Sequence, residues 1–192
     1  MHLPCKMNFL AGLALSAALG ALSLLGADST SPNYAALKGQ VQVLEAVIDK
    51  TMEQTFERPF GLLEKTKGSY LPGYGVIFNL QVNLYPVRVP NPFDPRPLSE
   101  EEVRKARTVK LDRIETIKRA VPRLLADHAG SLRALGPEDT VAVIVHLFHF
   151  QAEGEKLPTQ LVLQVKKADL DQYQERKLSF DELVRKMNVF AL

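Results

Sequence analysis

The centre of the fold is predicted by residues 141–150, which read Val-Ala-Val-Ile-Val-His-Leu-Phe-His-Phe. A short apolar run rich in β-branched residues is typical of a central strand that is covered on both faces. The run follows Gly-Pro-Glu-Asp at residues 136–139, which is a strong turn signal. We therefore expect the strand that contains His146 to lie in the middle of a sheet.

Two further strands are predicted, each with one apolar and one polar face. From Val76 to Tyr85 apolar residues alternate with the amides Asn79, Gln81 and Asn83, and this period of two indicates a half-buried strand. Residues 161–167 alternate in the same way, so this segment and the central strand should form an antiparallel hairpin. The first strand can join the central strand either in parallel, through a long crossover, or antiparallel.

Helices are predicted from apolar periodicity and from capping residues. An amphipathic helix should begin at Ser31-Pro32 and run to about Phe56. A long helix should begin at the capping box formed by Ser99 and Glu102, be kinked or divided by Pro122, and run to about residue 135.

A short helical or turn segment should follow at residues 168–177, and a second capping box at Ser179 should open a terminal helix. The predicted fold class is α+β. It is a small mixed three-stranded sheet packed with about three to four helices that cover its apolar faces, and it is preceded by an apolar leader helix.

The first 27 residues predict a signal peptide or an N-terminal membrane anchor. Residues 9–27 carry no charge, and Lys6 precedes them, which is the order found in secretory signals. An uncleaved membrane anchor and a buried core helix are the alternatives. We therefore expect export to the periplasm or the extracellular space, or tethering by the uncleaved segment, with residues 28–192 forming a single soluble domain.

Cysteine and charge usage restrict the chemistry of that domain. The only cysteine is Cys5, inside the leader, so a processed domain would have no disulfide, thiolate nucleophile or cysteine metal ligand. The formal net charge of the chain is +2, which disfavours a surface built to bind nucleic acid or anionic lipid. Membrane contact is expected only through the N-terminal segment.

The proline-rich segment at residues 86–98 is predicted to be a connector. Five prolines lie within residues 86–97, and proline removes amide donors and restricts the preceding residue, so the segment should be extended. An exposed recognition arm is the alternative, but most loops only connect.

No motif for a cofactor or a metal is present. Gly68 and Gly73 have the spacing of a phosphate-binding loop, but Tyr-Gly follows them where Lys-Ser/Thr is needed, and a strand comes next instead of a helix. His146 and His149 are three residues apart, so on a strand they would point to opposite faces. A metal site would need His128 of the long helix, only one of these two histidines, and a carboxylate such as Asp127, and we expect neither metal nor cofactor.

The sequence favours a non-enzymatic binding module whose partner is an envelope or extracellular protein. The candidate binding residues are Tyr70 and Tyr74 in a glycine-rich turn and the strand amides Asn79, Gln81 and Asn83. The alternative is a small exported hydrolase with a dispersed acid/base site. That hypothesis requires Ser69, His128 and His149 to converge in one concave pocket.

Overall fold

The computed structural model describes residues 33–87, 96–150 and 157–192. The predicted leader (1–27) and the middle of the proline-rich segment lie outside the described residues. The elements in chain order are α1 (Tyr34–Thr55), β1 (Gly61–Leu71), β2 (Gly75–Asn83), α2 (Glu100–His128) with a 3-10 turn (Ala129–Ser131), β3 (Thr140–Leu147), β4 (Gln160–Lys166), α3 (Lys167–Gln174), α4 (Phe180–Lys186) and β5 (Asn188–Ala191).

The protein has a mixed α+β fold with a five-stranded sheet in the order β1-β2-β3-β4-β5. The predicted central strand is β3, and it lies in the middle of the sheet. β2 pairs with β3 in parallel, while β1/β2, β3/β4 and β4/β5 are antiparallel. The predicted antiparallel hairpin of β3 and β4 is therefore confirmed. Of the two arrangements predicted for β2, the structure has the parallel one, with a crossover to β3.

The prediction of three strands was wrong, because both edge strands were missed. β1 includes Lys65, Lys67 and Gly68, and its register against β2 shifts twice, so its sequence lacks a regular alternation. β5 has only four residues and follows α4 directly. Such a short strand leaves too few residues for a period of two to be visible.

The helices cover only one face of the sheet. The sequence had predicted that they would cover both. Phe78, Val143 and Leu163 lie side by side on neighbouring strands and are fully buried. Their face packs against the apolar sides of the helices, which also contact one another. No helix among the described residues lies over the opposite face. The described part of the chain contains no helix that is long and apolar enough to cross a bilayer.

The helix starts agree with the predicted capping boxes, but the first helix begins later than predicted. Ser99 and Ser179 each form the predicted reciprocal bonds with the glutamate three residues on. In α1 the cap is Asn33, whose side-chain oxygen accepts from the backbone N–H of Ala36 at 3.1 Å. α2 continues without division through Pro122, which is buried, and it ends at His128 rather than near residue 135.

α1 closes the edge of the sheet at β1. The backbone N–H of Thr66 donates to Asp49 at 2.8 Å, and that of Gly68 donates to Glu45 at 2.6 Å. Two carboxylates one helical turn apart therefore bind two outward amides two residues apart on the strand. The approach is close, since a Cβ on Gly68 would lie 2.3 Å from Cγ1 of Val41.

A glycine-containing turn joins β1 to β2 and brings β2 against the start of β3. Residues 71–74 form a β-turn in which the N–H of Tyr74 donates to the carbonyl of Leu71 at 3.0 Å, with Gly73 at φ 78°. Gly75 has φ 127°, and a Cβ there would lie 2.1 Å from the backbone oxygen of Thr140. Only glycine fits at position 75.

Arg113 of α2 joins three chain segments at the opposite end of β2. Its guanidinium donates to the carbonyl of Pro59 at 2.5 Å, to that of Glu57 at 2.8 Å, and to that of Leu84. The rings of Phe56 and Tyr85 lie 5.6 and 5.9 Å from the guanidinium carbon. Arg113 thus ties α2 to the α1–β1 connection and to the end of β2.

We predict that Gly75→Ala lowers the free energy of unfolding by about 3 kcal/mol, through backbone strain and overlap with Thr140. The control is Gly39→Ala in α1, where a Cβ meets nothing within 4 Å and alanine should add about 0.5–1 kcal/mol. Urea denaturation followed by circular dichroism measures both. Equal effects of the two substitutions would contradict the packing described at position 75.

We predict that Arg113→Met lowers the free energy of unfolding by about 2–3 kcal/mol, because three carbonyl groups lose a charged donor. Arg119→Met on the same helix is the matched control. Arg119 is exposed, and its one side-chain hydrogen bond within the described part of the chain is 3.5 Å long, so its loss should cost about 0.5 kcal/mol or less. Urea denaturation measures the free energy of unfolding of both variants. If Arg113→Met lowers it no more than Arg119→Met does, Arg113 does not tie these segments together.

Candidate functional site

The face of the sheet opposite the helices, which we call the open face, is the candidate functional surface. Residues directly opposite on neighbouring strands point to the same side, so the strand register determines the members of this face. They are Glu64, Lys67 and Ser69 of β1, Ile77, Asn79 and Gln81 of β2, Thr140, Ala142, Ile144 and His146 of β3, Gln160, Val162, Gln164 and Lys166 of β4, and Asn188 and Phe190 of β5.

The open face is organised as rows that run across the strands. From β2 to β5 the middle row joins Asn79 to Ile144, Val162 and Phe190 and is mainly apolar. From β2 to β4 a neighbouring row consists of Gln81, His146 and Gln160 and is polar throughout. All of these side chains are half-buried except that of Phe190, which is 47% exposed. The face therefore combines an apolar stripe with amide donors and acceptors.

The structure brings two of the five predicted binding residues, Asn79 and Gln81, together on the open face. Both are half-buried and stand two residues apart on β2. Asn83 has the same parity but is only 5% exposed, and its side-chain oxygen accepts from the backbone N–H of Tyr85 at 3.2 Å. Asn83 therefore stabilises the end of β2 and offers little surface to a partner.

Tyr74 lies at the end of the open face. Its hydroxyl donates to Oε1 of Gln164, an open-face residue, at 3.0 Å. Tyr74 and Gln164 also line a cavity of 220 Å³ together with Lys186 and Asn188. The hydrogen bond links the β1–β2 turn to β4, so Tyr74 extends the polar part of this surface.

Tyr70 lies on the other side of the sheet, away from the other candidates. It pairs with Val76, whose side chain faces the helices. Its ring stands edge-on to that of Tyr34 with centroids 5.9 Å apart. Both tyrosines line a cavity of 320 Å³ between α1 and β1. Tyr70 is therefore a residue of β1 and not of the turn, and it lies on a different surface from Tyr74.

The residues of the hydrolase alternative do not converge in one pocket. Ser69 is in the row of Ala142, near the start of β3, whereas His149 follows the end of that strand. His128 lines a cavity of 460 Å³ at the end of α2, and neither Ser69 nor His149 is part of that lining. Within residues 33–87, 96–150 and 157–192, no group of three histidine, cysteine or acidic residues could hold a metal ion.

Several open-face residues were not among the predicted binding residues, above all Ile144, Val162 and Phe190. Period two in β4 does separate Leu161 and Leu163 from Gln160 and Gln164. The hairpin register places Gln160 beside His146 and Gln164 beside Ala142. β5 could not have been placed, since its strand was not recognised.

No protein-family model, no curated protein and no solved structure matches this chain. The chemistry of the open face therefore has to be inferred from its own residues. The face can donate and accept hydrogen bonds and bury aliphatic surface. The described residues also place charged groups there: Lys67 and Glu64 lie on the edge strand β1, and Lys166 lies at the end of β4, while His146 lies in the middle of the face.

We predict that Tyr70 and Tyr74 ionise at a higher pH in the folded protein than in the unfolded chain. Burial raises the pKa of both phenols, and the negative charge of Asp139 further raises the pKa of Tyr70. Their contribution to stability is therefore fully present below the unfolded-state pKa of about 10 and is lost as the pH rises through the folded-state pKa.

Phenolate absorbance, titrated in the native protein and in urea, measures this shift. Tyr74→Phe should remove one late-ionising phenol while leaving that of Tyr70. Identical titration curves for the native and the unfolded chain would contradict the burial of these two rings.

Proposed function

We propose that the chain is an exported or envelope-associated module without catalytic activity that binds a protein partner through the open face. The observation that carries this proposal is that one face of a five-stranded sheet has no described element packed on it, although its middle row is apolar. Apolar sheet surface is stabilised by being covered. A partner that covers this face would bury the stripe formed by Ile144, Val162 and Phe190.

The side-chain chemistry of the face favours a protein over other kinds of partner. The cores of protein–protein interfaces are depleted of lysine and acidic residues, and the row of Ile144 and its two neighbouring rows carry none from β2 to β5. Nucleic acid would require clustered lysine and arginine to neutralise phosphates, whereas the two lysines of this face that the structure describes lie apart, Lys67 on the edge strand β1 and Lys166 at the end of β4. The amides of Asn79, Gln81 and Gln160 can satisfy main-chain or side-chain groups of a protein.

The absence of catalysis is proposed because the open face lacks a nucleophile next to a base. A nucleophilic site needs the two groups within hydrogen-bonding distance of each other. Ser69 and His146 stand on β1 and β3, in different rows, with β2 between them. The residues of the hydrolase alternative are dispersed as well, so the geometry of the described residues supports binding better than hydrolysis.

Export is proposed from the sequence of the N-terminal segment alone. Residues 9–27 are uncharged and follow Lys6, as in secretory signals. The partner would then be an envelope or extracellular protein, and membrane contact would be made only through the N-terminal segment where it is not cleaved.

We predict that a photo-crosslinking residue placed on the open face captures one recurrent partner in cells that make the full-length chain. Gln81 and Gln160 are suitable positions, because both amides are half-buried at the surface of this face. Val43 is the control, since it is 61% exposed on α1, away from the sheet face. Mass spectrometry identifies the adduct and the mature N-terminus.

The same partner should be captured from Gln81 and Gln160 and not from Val43. Gln160→Glu should then reduce the yield of the Gln81 adduct by about tenfold or more, because a buried carboxylate without a partner costs more than the roughly 1.4 kcal/mol that corresponds to this factor. Circular dichroism verifies that the variant is folded. Capture that is equal from Val43, or absent from both sheet positions, contradicts the proposal.

A further inference from the structure

The outer side of β5 presents main-chain groups without partners among the described residues. The N–H of Leu192 donates to the carbonyl of Gln160 at 3.0 Å, and the N–H of Gln160 donates back to that of Leu192 at 3.1 Å. Such pairs recur at every second residue of an antiparallel ladder. Asn188 and Phe190 therefore bond to β4, while the N–H and C=O groups of Val189 and Ala191 point away from the sheet.

The side chains of β5 do nothing to block the approach of another strand. The strand reads Asn-Val-Phe-Ala, without charge or proline, and Val189 and Phe190 are 41% and 47% exposed. Natural sheet edges are normally protected by charged side chains, bulges or cover. The β1 edge has all three, because its register shifts, it carries lysines, and α1 binds its outward amides at Thr66 and Gly68.

We infer that β5 pairs with the β5 strand of a second copy of this chain, antiparallel and about a two-fold axis. An edge with free N–H and C=O groups accepts an extended strand. The β5 strand of a second copy is such a strand, and its own outward N–H and C=O groups can bond to those of the first. When Phe190 lies opposite its own copy, Val189 bonds to Ala191 of the second copy, and the reverse pair forms by symmetry. This register uses all the outward groups of both strands.

The side chains favour the same register. Phe190 points to the open face, so the two rings meet there in a pair that is not hydrogen-bonded, where side chains are closest. The nearest basic residues, Arg185 and Lys186, precede β5. In the antiparallel arrangement they lie at opposite ends of the joined strands. The two Asn188 residues are about 13 Å apart at roughly 3.3 Å per residue, and the basic residues lie farther out, so salt screens their repulsion over a Debye length of about 10 Å.

The consequence is a sheet that is continuous across two chains, with the two open faces on the same side. Four-residue strands bury little area compared with the roughly 1,000 Å² of a stable interface. The dimer is therefore weak and depends on concentration. This inference is independent of the proposed partner on the open face.

The test is disulfide trapping in the full-length chain with Cys5→Ser as background. Phe190→Cys places the only thiol on the two-fold axis, where two Cβ atoms are close enough for a disulfide. Val189→Cys is the matched control, one residue away and similarly exposed, but it faces position 191 of the second copy and not itself. Mild oxidation followed by a non-reducing gel should give a covalent dimer for Phe190→Cys and little or none for Val189→Cys.

Light scattering across a concentration series supplies the second measurement. The unmodified chain should shift from monomer to dimer, whereas Ala191→Pro should stay monomeric, because proline removes an outward N–H that β4 does not use. A urea curve like that of the unmodified chain shows that this variant is folded. A chain that stays monomeric, equal trapping at positions 189 and 190, or a dimer unaffected by Ala191→Pro would each overturn the inference.

Discussion

The parallel pairing of β2 with β3 is the constraint on which the rest of the fold depends. Two parallel neighbours cannot be joined by a tight turn, so the chain must cross over, here through α2. The crossover sets α2 against one face of the sheet, and the other helices then pack beside it on that face. Gly75, which lies against the backbone of Thr140, and Arg113, which binds the carbonyl of Leu84, hold the two ends of this arrangement.

The one-sided arrangement of the helices separates stability from binding. The fully buried side chains of the sheet lie mainly on the helix side, so residues of the open face are less constrained by packing. The two edges show a similar asymmetry. β1 is bound by the carboxylates Glu45 and Asp49 of α1, whereas β5 exposes Val189 and Phe190. Both surfaces available to partners, the open face and the β5 edge, share Phe190.

The parts of the fold that could be predicted are those in which burial imposes a regular period. β2, β3 and β4 alternate or are wholly apolar, and two helix starts carry reciprocal capping residues. β1 could not be predicted because its register shifts twice and its one buried position is the polar Thr66, so no alternation of apolar residues is visible in its sequence. Alternation placed Asn79 and Gln81 correctly, but it could not show that Asn83 is buried at the strand end. The side taken by Tyr70 was not predictable because β1 was not recognised as a strand, and that of Tyr74 was not predictable because turn residues have no period.

The contact between Gly68 and Val41 has a consequence for how this sequence can evolve. A Cβ at position 68 would lie 2.3 Å from Cγ1 of Val41 and 2.9 Å from the ring of Phe78. α1 can therefore lie this close to β1 only because Gly68 has no side chain. A side chain at position 68 therefore requires a smaller residue at position 41 together with a shift of the Phe78 ring, whereas a larger residue at position 41 cannot be compensated at position 68, because glycine is already the smallest residue. Among divergent descendants of this chain, the two positions should change together, as a covarying pair that records where the helix meets the strand.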